Sequence, residues 1–224
     1  MLDFSRYDNF IFDWDNTIAA TEPLHIKAMA CTLRDMIGYE MTYADCLDFI
    51  GSTSAALAEK IFTRLGITNI SPLQVTEYKA DLLRREEMIL SLYPGVREFL
   101  QYWQNRKKIA LASNSSREFI ERCLAVCGLQ DSFFYIVTIS EAKIRKPDPA
   151  MLQMAASALG SPPERTLVFE DSETGLQAAK NGFFPSVLVL NPGNPLPPTL
   201  PAELPMYTWE QLLQFAKKKS PEAE

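Results

Sequence analysis

The chain has 224 residues, with 22 lysines and arginines against 28 aspartates and glutamates, a formal charge of −6, and 47% hydrophobic residues. That length fits one domain with a modest insertion, and the acidic balance argues against a nucleic-acid backbone as the main partner. His25 is the single histidine, which excludes a two-histidine zinc site and leaves no evident serine–histidine–acid triad, so any chemistry is expected to run on carboxylates.

The chain opens on a polar, acidic segment, Met1 to Asp8, without the basic leader and apolar core of a secretory signal. No stretch approaches the roughly 18 consecutive apolar residues of a membrane span. Cys31, Cys46, Cys123 and Cys127 form no close metal-binding pair, and Cys123 and Cys127 share a helix face as small hydrophobes. A reduced, cytoplasmic protein is therefore expected. A monomer is the default expectation.

A short apolar run, Asn9 to Asp13, ends abruptly in Trp14-Asp15-Asn16-Thr17. Such bounded runs suit the buried strands of a parallel sheet. Similar runs recur at Ile109–Ala112, Phe134–Ile139, Thr166–Phe169 and Ser186–Leu190, separated by helical patterns at Pro94–Arg106, Ser116–Cys127, Pro149–Leu159 and Ser172–Asn181. The alternation predicts an α/β fold with a doubly wound, Rossmann-like parallel sheet. One interval breaks it. From Thr21 to Ser91 only helical stretches occur, at Glu22–Ile37, Tyr43–Ile50, Ser54–Leu65 and Pro72–Leu90. So long a helical stretch cannot be a connecting loop. It predicts an inserted α-helical cap over residues 21–91, with a separate binding module as the alternative, and a core formed by 1–20 and 92–224. After Leu190 a proline-rich stretch reads as irregular; Thr208–Lys217 reads as a closing helix, followed by a polar tail.

Four pieces of sequence carry the candidate chemistry. Asp13 and Asp15, two apart on an extended segment, point the same way beyond the first strand, where open α/β sheets bind ligands. Two carboxylates so placed repel each other unless a cation or a shared proton relieves them, although aspartates are also common in such loops for ordinary reasons. Ser113-Asn114-Ser115-Ser116 follows a middle strand and opens a helix, offering donors to an oxyanion. Ser115 with Glu118 fits a capping box, which favours a cap for Ser115 and a ligand role for Ser113. Lys146 lies in Lys143-Ile144-Arg145-Lys146-Pro147-Asp148-Pro149, where flanking prolines fix the backbone. It either solvates a surface, as most lysines do, or neutralises a phosphate and a carboxylate together. Glu170 and Asp171 follow another buried strand. Two adjacent desolvated acids point to a hard divalent cation, and magnesium suits few carboxylates plus a phosphate. Ser172 reads as a helix N-cap.

In that order the four pieces, DWDNT, LASNS, KPDP and VFEDS, resemble the motifs of the haloacid-dehalogenase-like phosphotransferases, over about Asn9 to Leu190. The helical insertion is similar to the cap of the subfamily that contains β-phosphoglucomutase and small sugar-phosphate phosphatases. The resemblance implies a magnesium-dependent phosphatase acting on a small phosphorylated metabolite through an aspartyl-phosphate. Asp13 would be the nucleophile and Asp15 the acid/base. Magnesium would be held by Asp13, the Asp15 backbone carbonyl and Asp171, with Glu170 joining directly or through a water. Ser113, Asn114 and Lys146 would bind the phosphate oxygens.

Asn16 stands where the family pattern has glycine, and asparagine tolerates a positive φ. Trp14 lies on the opposite side of the segment from both acids and is expected in the core. Asp15 argues against haloacid dehalogenation, which resembling enzymes perform without a second acid there. Mutase-like members place a lysine just before the cap glycine and an arginine shortly after it. Here Phe49-Ile50-Gly51-Ser52-Thr53-Ser54 has no base on either side of Gly51, so a phosphatase is expected in preference to a phosphomutase. In the cap, Glu22, His25, Gly51 and Ser52 are the candidate substrate residues, although His25 also suits a structural place on an amphipathic helix. A non-catalytic binding protein retaining the fold is the remaining alternative.

Overall fold

The computed structural model describes residues 2–50, 52–85, 88–194 and 196–218. In chain order these form β1 (Asn9–Phe12), α1 (Glu22–Ile37), α2 (Tyr43–Phe49), α3 (Ser54–Leu65), α4 (Pro72–Arg85), α5 (Val96–Gln104), β2 (Ile109–Ser113), α6 (Arg117–Cys127), β3 (Tyr135–Thr138), α7 (Ile139–Ala142), α8 (Ala150–Leu159), β4 (Thr166–Glu170), α9 (Glu173–Asn181), β5 (Ser186–Val189), β6 (Met206–Tyr207) and α10 (Trp209–Lys218). The chain divides into two compact units, Met1–Ala20 with Leu90–Glu224, and Thr21–Ile89.

The strands of the first unit pair in parallel, in the order β3-β2-β1-β4-β5-β6. The order reverses beside β1: the chain winds outward through β2 and β3, then returns to β4 on the other side. That reversal opens a crevice at the carboxyl ends of β1 and β4, the usual ligand position in such sheets. Every residue of β1, β2 and β4 is buried, as expected of central strands covered on both faces.

The two faces differ. Phe10, Phe12 and Phe169 point to one side and meet Phe99 and Trp103 of α5 and Trp209 of α10. Phe12 and Phe169 stack at 4.6 Å, with Trp209 lying almost parallel to both. The other face is aliphatic and small: Ile11, Ala110, Ala112, Val137 and Val168 against Met151, Leu152 and Ala155 of α8 and Ala178 of α9. Small residues let α8 and α9 lie close to the sheet. Trp14, with no exposed surface, is buried in this unit. Cys123 and Cys127 are buried too, and burial pushes both thiols above their ordinary pKa.

Most elements fall where the sequence puts them, with differences that have local causes. The helix expected from Pro94 begins at Val96, because Gly95 adopts φ +85 and a Cβ there would meet the Trp209 and Glu210 backbone at 3.2 Å. The strand expected over Phe134–Ile139 is shorter, since Thr138 ends it by capping α7. Of the helix expected over Pro72–Leu90, Pro72–Arg85 is helical, residues 86–87 lie outside the described residues, and Met88–Leu90 is not helical. Just after the proline-rich stretch, Met206–Tyr207, given no element from sequence, form the two-residue strand β6 against β5. Ser91, assigned to the insertion from sequence, pairs with the core: its carbonyl accepts from Ala20 N, and Leu92 bridges Ala19. The expected polar tail lies, from residue 219, outside the described residues. Among the described residues no helix is long and apolar enough to cross a membrane.

The second unit is a bundle of α1–α4 around Met29, Leu33, Phe49, Leu57, Ala58, Ile61, Phe62 and Val75. Among the polar groups buried in this unit is a carboxylate. The Asp45 carboxylate accepts from Tyr39 Oη (2.6 Å), Thr42 N (2.9 Å), Thr42 Oγ1 (2.7 Å) and Arg64 Nη2 (3.0 Å), completing a capping box for α2. Burial alone would raise its pKa, but the bonds from Tyr39, Thr42 and Arg64 outweigh it and hold the carboxyl well below the usual range. A depressed folded pKa gives stability that is fully present above the unfolded value near 3.9 and is lost as pH falls through the folded one. Asp45→Asn is therefore expected to destabilise the helical unit by about 1–3 kcal/mol near neutral pH. Thermal unfolding against pH should show the gap between the two proteins closing below about pH 4.

Candidate active site

The carboxyl ends of β1 and β4 bring together what the sequence separates by more than 150 residues. Asp13 directly follows β1 and is locked to its neighbour strand by donating its N–H to the Phe169 carbonyl (3.0 Å). Glu170 ends β4 and Asp171 follows it. Carboxylate oxygens of Asp13, Glu170 and Asp171 lie within 4.8 Å of one another.

Lys146 holds this cluster. Its ammonium, almost fully buried, donates to Asp13 Oδ1 (2.7 Å), Glu170 Oε1 (2.6 Å) and the Ala112 carbonyl at the end of β2 (2.8 Å). Burial would lower its pKa, but the charges of Asp13 and Glu170 more than reverse that and raise it. The ammonium has three N–H donors, and all three are engaged. Lys146 thus meets an incoming anion chiefly as a charge. Asn114, expected to bind phosphate, accepts the Lys146 backbone N–H through Oδ1 (2.9 Å), which places the lysine and leaves the amide nitrogen to donate.

Glu170 is fully buried. Its second oxygen accepts from Asp171 N (3.1 Å), Ser172 N (3.2 Å) and Ser172 Oγ (2.8 Å). Ser172 also caps α9, its hydroxyl accepting from Gly175 N. Asp171 Oδ1 accepts from Thr17 Oγ1 at 2.8 Å.

Asp15 is turned differently from Asp13. Its Oδ2 accepts from Ser115 Oγ (2.7 Å) and Ser113 Oγ (3.1 Å), and the Ser113 hydroxyl in turn accepts from Ser115 N. This corrects the expectation for Ser115. The cap of α6 is Ser116, whose hydroxyl accepts from Phe119 N, and Ser115 reaches the second acid instead. Asn16 adopts φ +58, the left-handed conformation its side chain tolerates.

The charges do not balance. Asp13, Asp15, Glu170 and Asp171 face one buried ammonium. Burial and the neighbouring Glu170 push the Asp13 carboxyl up to about 8 against the pull of Lys146, and burial, Glu170 and Asp13 push Asp171 up as well. Converging hard oxygens short of positive charge are the donor set of a divalent cation such as magnesium. The site fits one.

The remaining candidates lie in the helical unit. Glu22 and His25 occupy the first turn of α1, where burial raises the Glu22 carboxyl and His25 N donates to the Thr21 carbonyl. Ser52 is exposed in the turn before α3, its N–H bonded to the Phe49 carbonyl; Gly51 lies outside the described residues. The sequence around Gly51 shows no base, and α4 brings one to Ser54. Lys79 Nζ donates to Ser54 Oγ (3.1 Å) and sits 4.8 Å from the centre of the Phe49 ring. A base from a residue 25 positions away in sequence thus packs against Ser54.

Gly175 has a role that the motifs do not announce. A Cβ there would lie 1.8 Å from Glu170 Cδ and Oε1, so only glycine leaves room for the carboxylate that holds Lys146. The signal was a glycine in the first turn of a helix, where it costs about 1 kcal/mol against alanine. Gly175→Ala is expected to displace Glu170 and lower the melting temperature by about 5–10 °C, measured by thermal unfolding. A melting temperature unchanged from wild type would show that Glu170 has other room.

Residues 10–189 match the model of the haloacid dehalogenase-like hydrolases. The chain is similar to the fructose-1-phosphate phosphatase YqaB of Escherichia coli, 31% identical over 182 residues that cover 79% of this chain and 93% of that protein. It is also similar to the pyrophosphatase PpaX of Listeria welshimeri, 27% identical over 178 residues, 79% of this chain and 80% of that one. Its fold is that of CbbY from Rhodobacter sphaeroides, solved in complex with phosphate, at a TM-score of 0.76 and 22% identity over 92% of this chain and 96% of that one. With the acid cluster at the sheet's switch point, these matches make the chain an enzyme that belongs to the haloacid dehalogenase-like hydrolases.

Proposed function

We propose that this hydrolase is a magnesium-dependent phosphatase that cleaves a small phosphomonoester, a sugar or polyol phosphate, through an aspartyl-phosphate. The observation that carries the reading is the buried Lys146 ammonium between Asp13 and Glu170, which pairs with an aspartate and fixes it at the sheet's switch point. The similarity to a fructose-1-phosphate phosphatase supports the substrate class.

In this reading Asp13 attacks phosphorus in line: a bond forms from its carboxylate oxygen to phosphorus as the bond to the substrate oxygen breaks. Asp15 gives its proton to that departing oxygen, then takes one from the water that attacks the aspartyl-phosphate, which frees phosphate and restores Asp13. The Ser113 and Ser115 hydroxyls that bond Asp15 here set where this carboxyl waits. Lys146 offsets charge on the transferring group, and the Asn114 amide and Ser113 hydroxyl supply donors to its oxygens. Asp13, Asp171 and the Asp15 carbonyl would hold the magnesium ion, with Glu170 contributing charge behind Lys146. When bound, the ion supplies Lewis-acid charge that offsets repulsion between the carboxylate and the phosphate. Residues 21–89 would serve as the cap, with His25, Glu22, the Gly51–Ser52 turn and Lys79 selecting the substrate.

A phosphomutase is the second reading, favoured by one observation: Lys79 gives the helical unit a cation beside Ser54. Two experiments test the proposal. Hydrolysis of p-nitrophenyl phosphate should need magnesium, stop on chelation and be abolished in Asp13→Asn; activity surviving chelation or that substitution sinks the mechanism. Asp15→Asn should slow hydrolysis of fructose 1-phosphate about 10²–10⁴-fold, but slow that of p-nitrophenyl phosphate much less, because p-nitrophenolate leaves without protonation. Equal losses on both would reduce Asp15 to a positioning role, and efficient interconversion of glucose 1-phosphate and glucose 6-phosphate would favour the mutase.

A further inference from the structure

Past β5 the chain turns back over the DWDNT loop, and two asparagines from this segment reach it. Asn191 Nδ2 donates to the carbonyls of Asn16 (2.6 Å) and Thr17 (3.0 Å). Asn194 Nδ2 donates to the same Asn16 carbonyl (2.9 Å) and, more weakly, to Asp171 Oδ2 (3.4 Å), while Asn194 Oδ1 accepts from the Tyr93 hydroxyl (3.0 Å). Trp209 Nε1 donates to the Thr17 carbonyl from below (3.0 Å).

The Asn194 contacts have a required direction. A primary amide donates at one end only. With the Tyr93 hydroxyl on Oδ1, both N–H groups face the Asn16 carbonyl and the Asp171 carboxylate. Turned over, the amide would set its oxygen against two other acceptors. The Asn16 carbonyl and the Asp171 carboxylate, which only accept, therefore fix which end Asp171 meets, and the Tyr93 hydroxyl holds that orientation by donating to Oδ1. Asp171 is then gripped on both oxygens, by Thr17 on Oδ1 and by Asn194 on Oδ2. The Asn16 carbonyl that anchors this arrangement is presented by a left-handed residue.

We infer that Asn194, its amide held at Oδ1 by Tyr93, is a positioning residue that aims Asp171 at the divalent cation and ties it to the loop carrying Asp13 and Asp15. This rests on the reading of Asp171 as a cation ligand. Removing a group that orients a metal ligand typically weakens metal binding about 10- to 100-fold. The long Asn194–Asp171 contact places the effect at the lower end.

The test uses the full chain and magnesium chloride alone. The readout is the magnesium concentration that half-saturates the rise in melting temperature, with the metal-free melting temperature as a folding control. Asn194→Ala should shift that concentration upward about 10-fold, and Tyr93→Phe should shift it in the same direction by less, while Asp171→Asn abolishes the response. At saturating magnesium, KM for p-nitrophenyl phosphate should change little in Asn194→Ala, which separates cation placement from general damage. A wild-type magnesium response in Asn194→Ala, with Asp171→Asn unresponsive, overturns the inference and leaves the reading of Asp171 intact. A wild-type response in Asp171→Asn overturns both. If Asn194→Ala does not fold, a wild-type response in folded Tyr93→Phe overturns the inference.

Discussion

The ammonium of Lys146 sits in the interior, with two carboxylates and one carbonyl as its partners. Removing one member of such a buried ion cluster typically costs 3–5 kcal/mol, since it strands the opposite charge out of water. Much of the local structure follows from keeping it whole. The strand order places Asp13 beside Glu170. The Ala112 carbonyl, at the end of β2, takes the third N–H. Asn114 fixes the lysine's backbone, the turn after β4 saturates Glu170, and Gly175 leaves that carboxylate space. Even so, the ammonium offsets only part of the negative charge. The deficit that remains leaves the cluster short of positive charge, a condition that a divalent cation relieves.

The rest of the core unit keeps this arrangement rigid. On one face, stacked rings of Phe12, Phe169 and Trp209 sit directly beneath the residues that carry the acids, and the Trp209 indole reaches through to the Thr17 carbonyl. On the other, alanines let α8 and α9 approach the sheet closely. A helix at the end of the chain and a proline-rich segment before it thus help to shape a loop at the chain's beginning.

The helical unit solves a separate problem. It has its own apolar core and its own buried carboxylate, Asp45, fully bonded within the unit. Its Lys79 is brought to Ser54 and Phe49 by packing rather than by adjacency in sequence.

The sequence by itself determined the fold class, the strands β1, β2, β4 and β5 and the order of the acidic and basic groups along the sheet edge. It could do so because buried parallel strands read as short apolar runs, because Asp13, Asp15, Glu170 and Asp171 lie at the ends of such runs, and because prolines mark the segment of Lys146. Those signals are local. Tertiary structure alone decided the partners: that Lys146 would use all three donors within the protein, that Ser115 would reach Asp15 while Ser116 capped the helix, and that Lys79 would stand beside Ser54. It also decided that Asn191 and Asn194, in a stretch with no periodicity to read, would close over Asn16 and Asp171. A hydrogen bond between residues 175 positions apart leaves no periodicity or composition in either segment, because its geometry is fixed by the packing of everything between them.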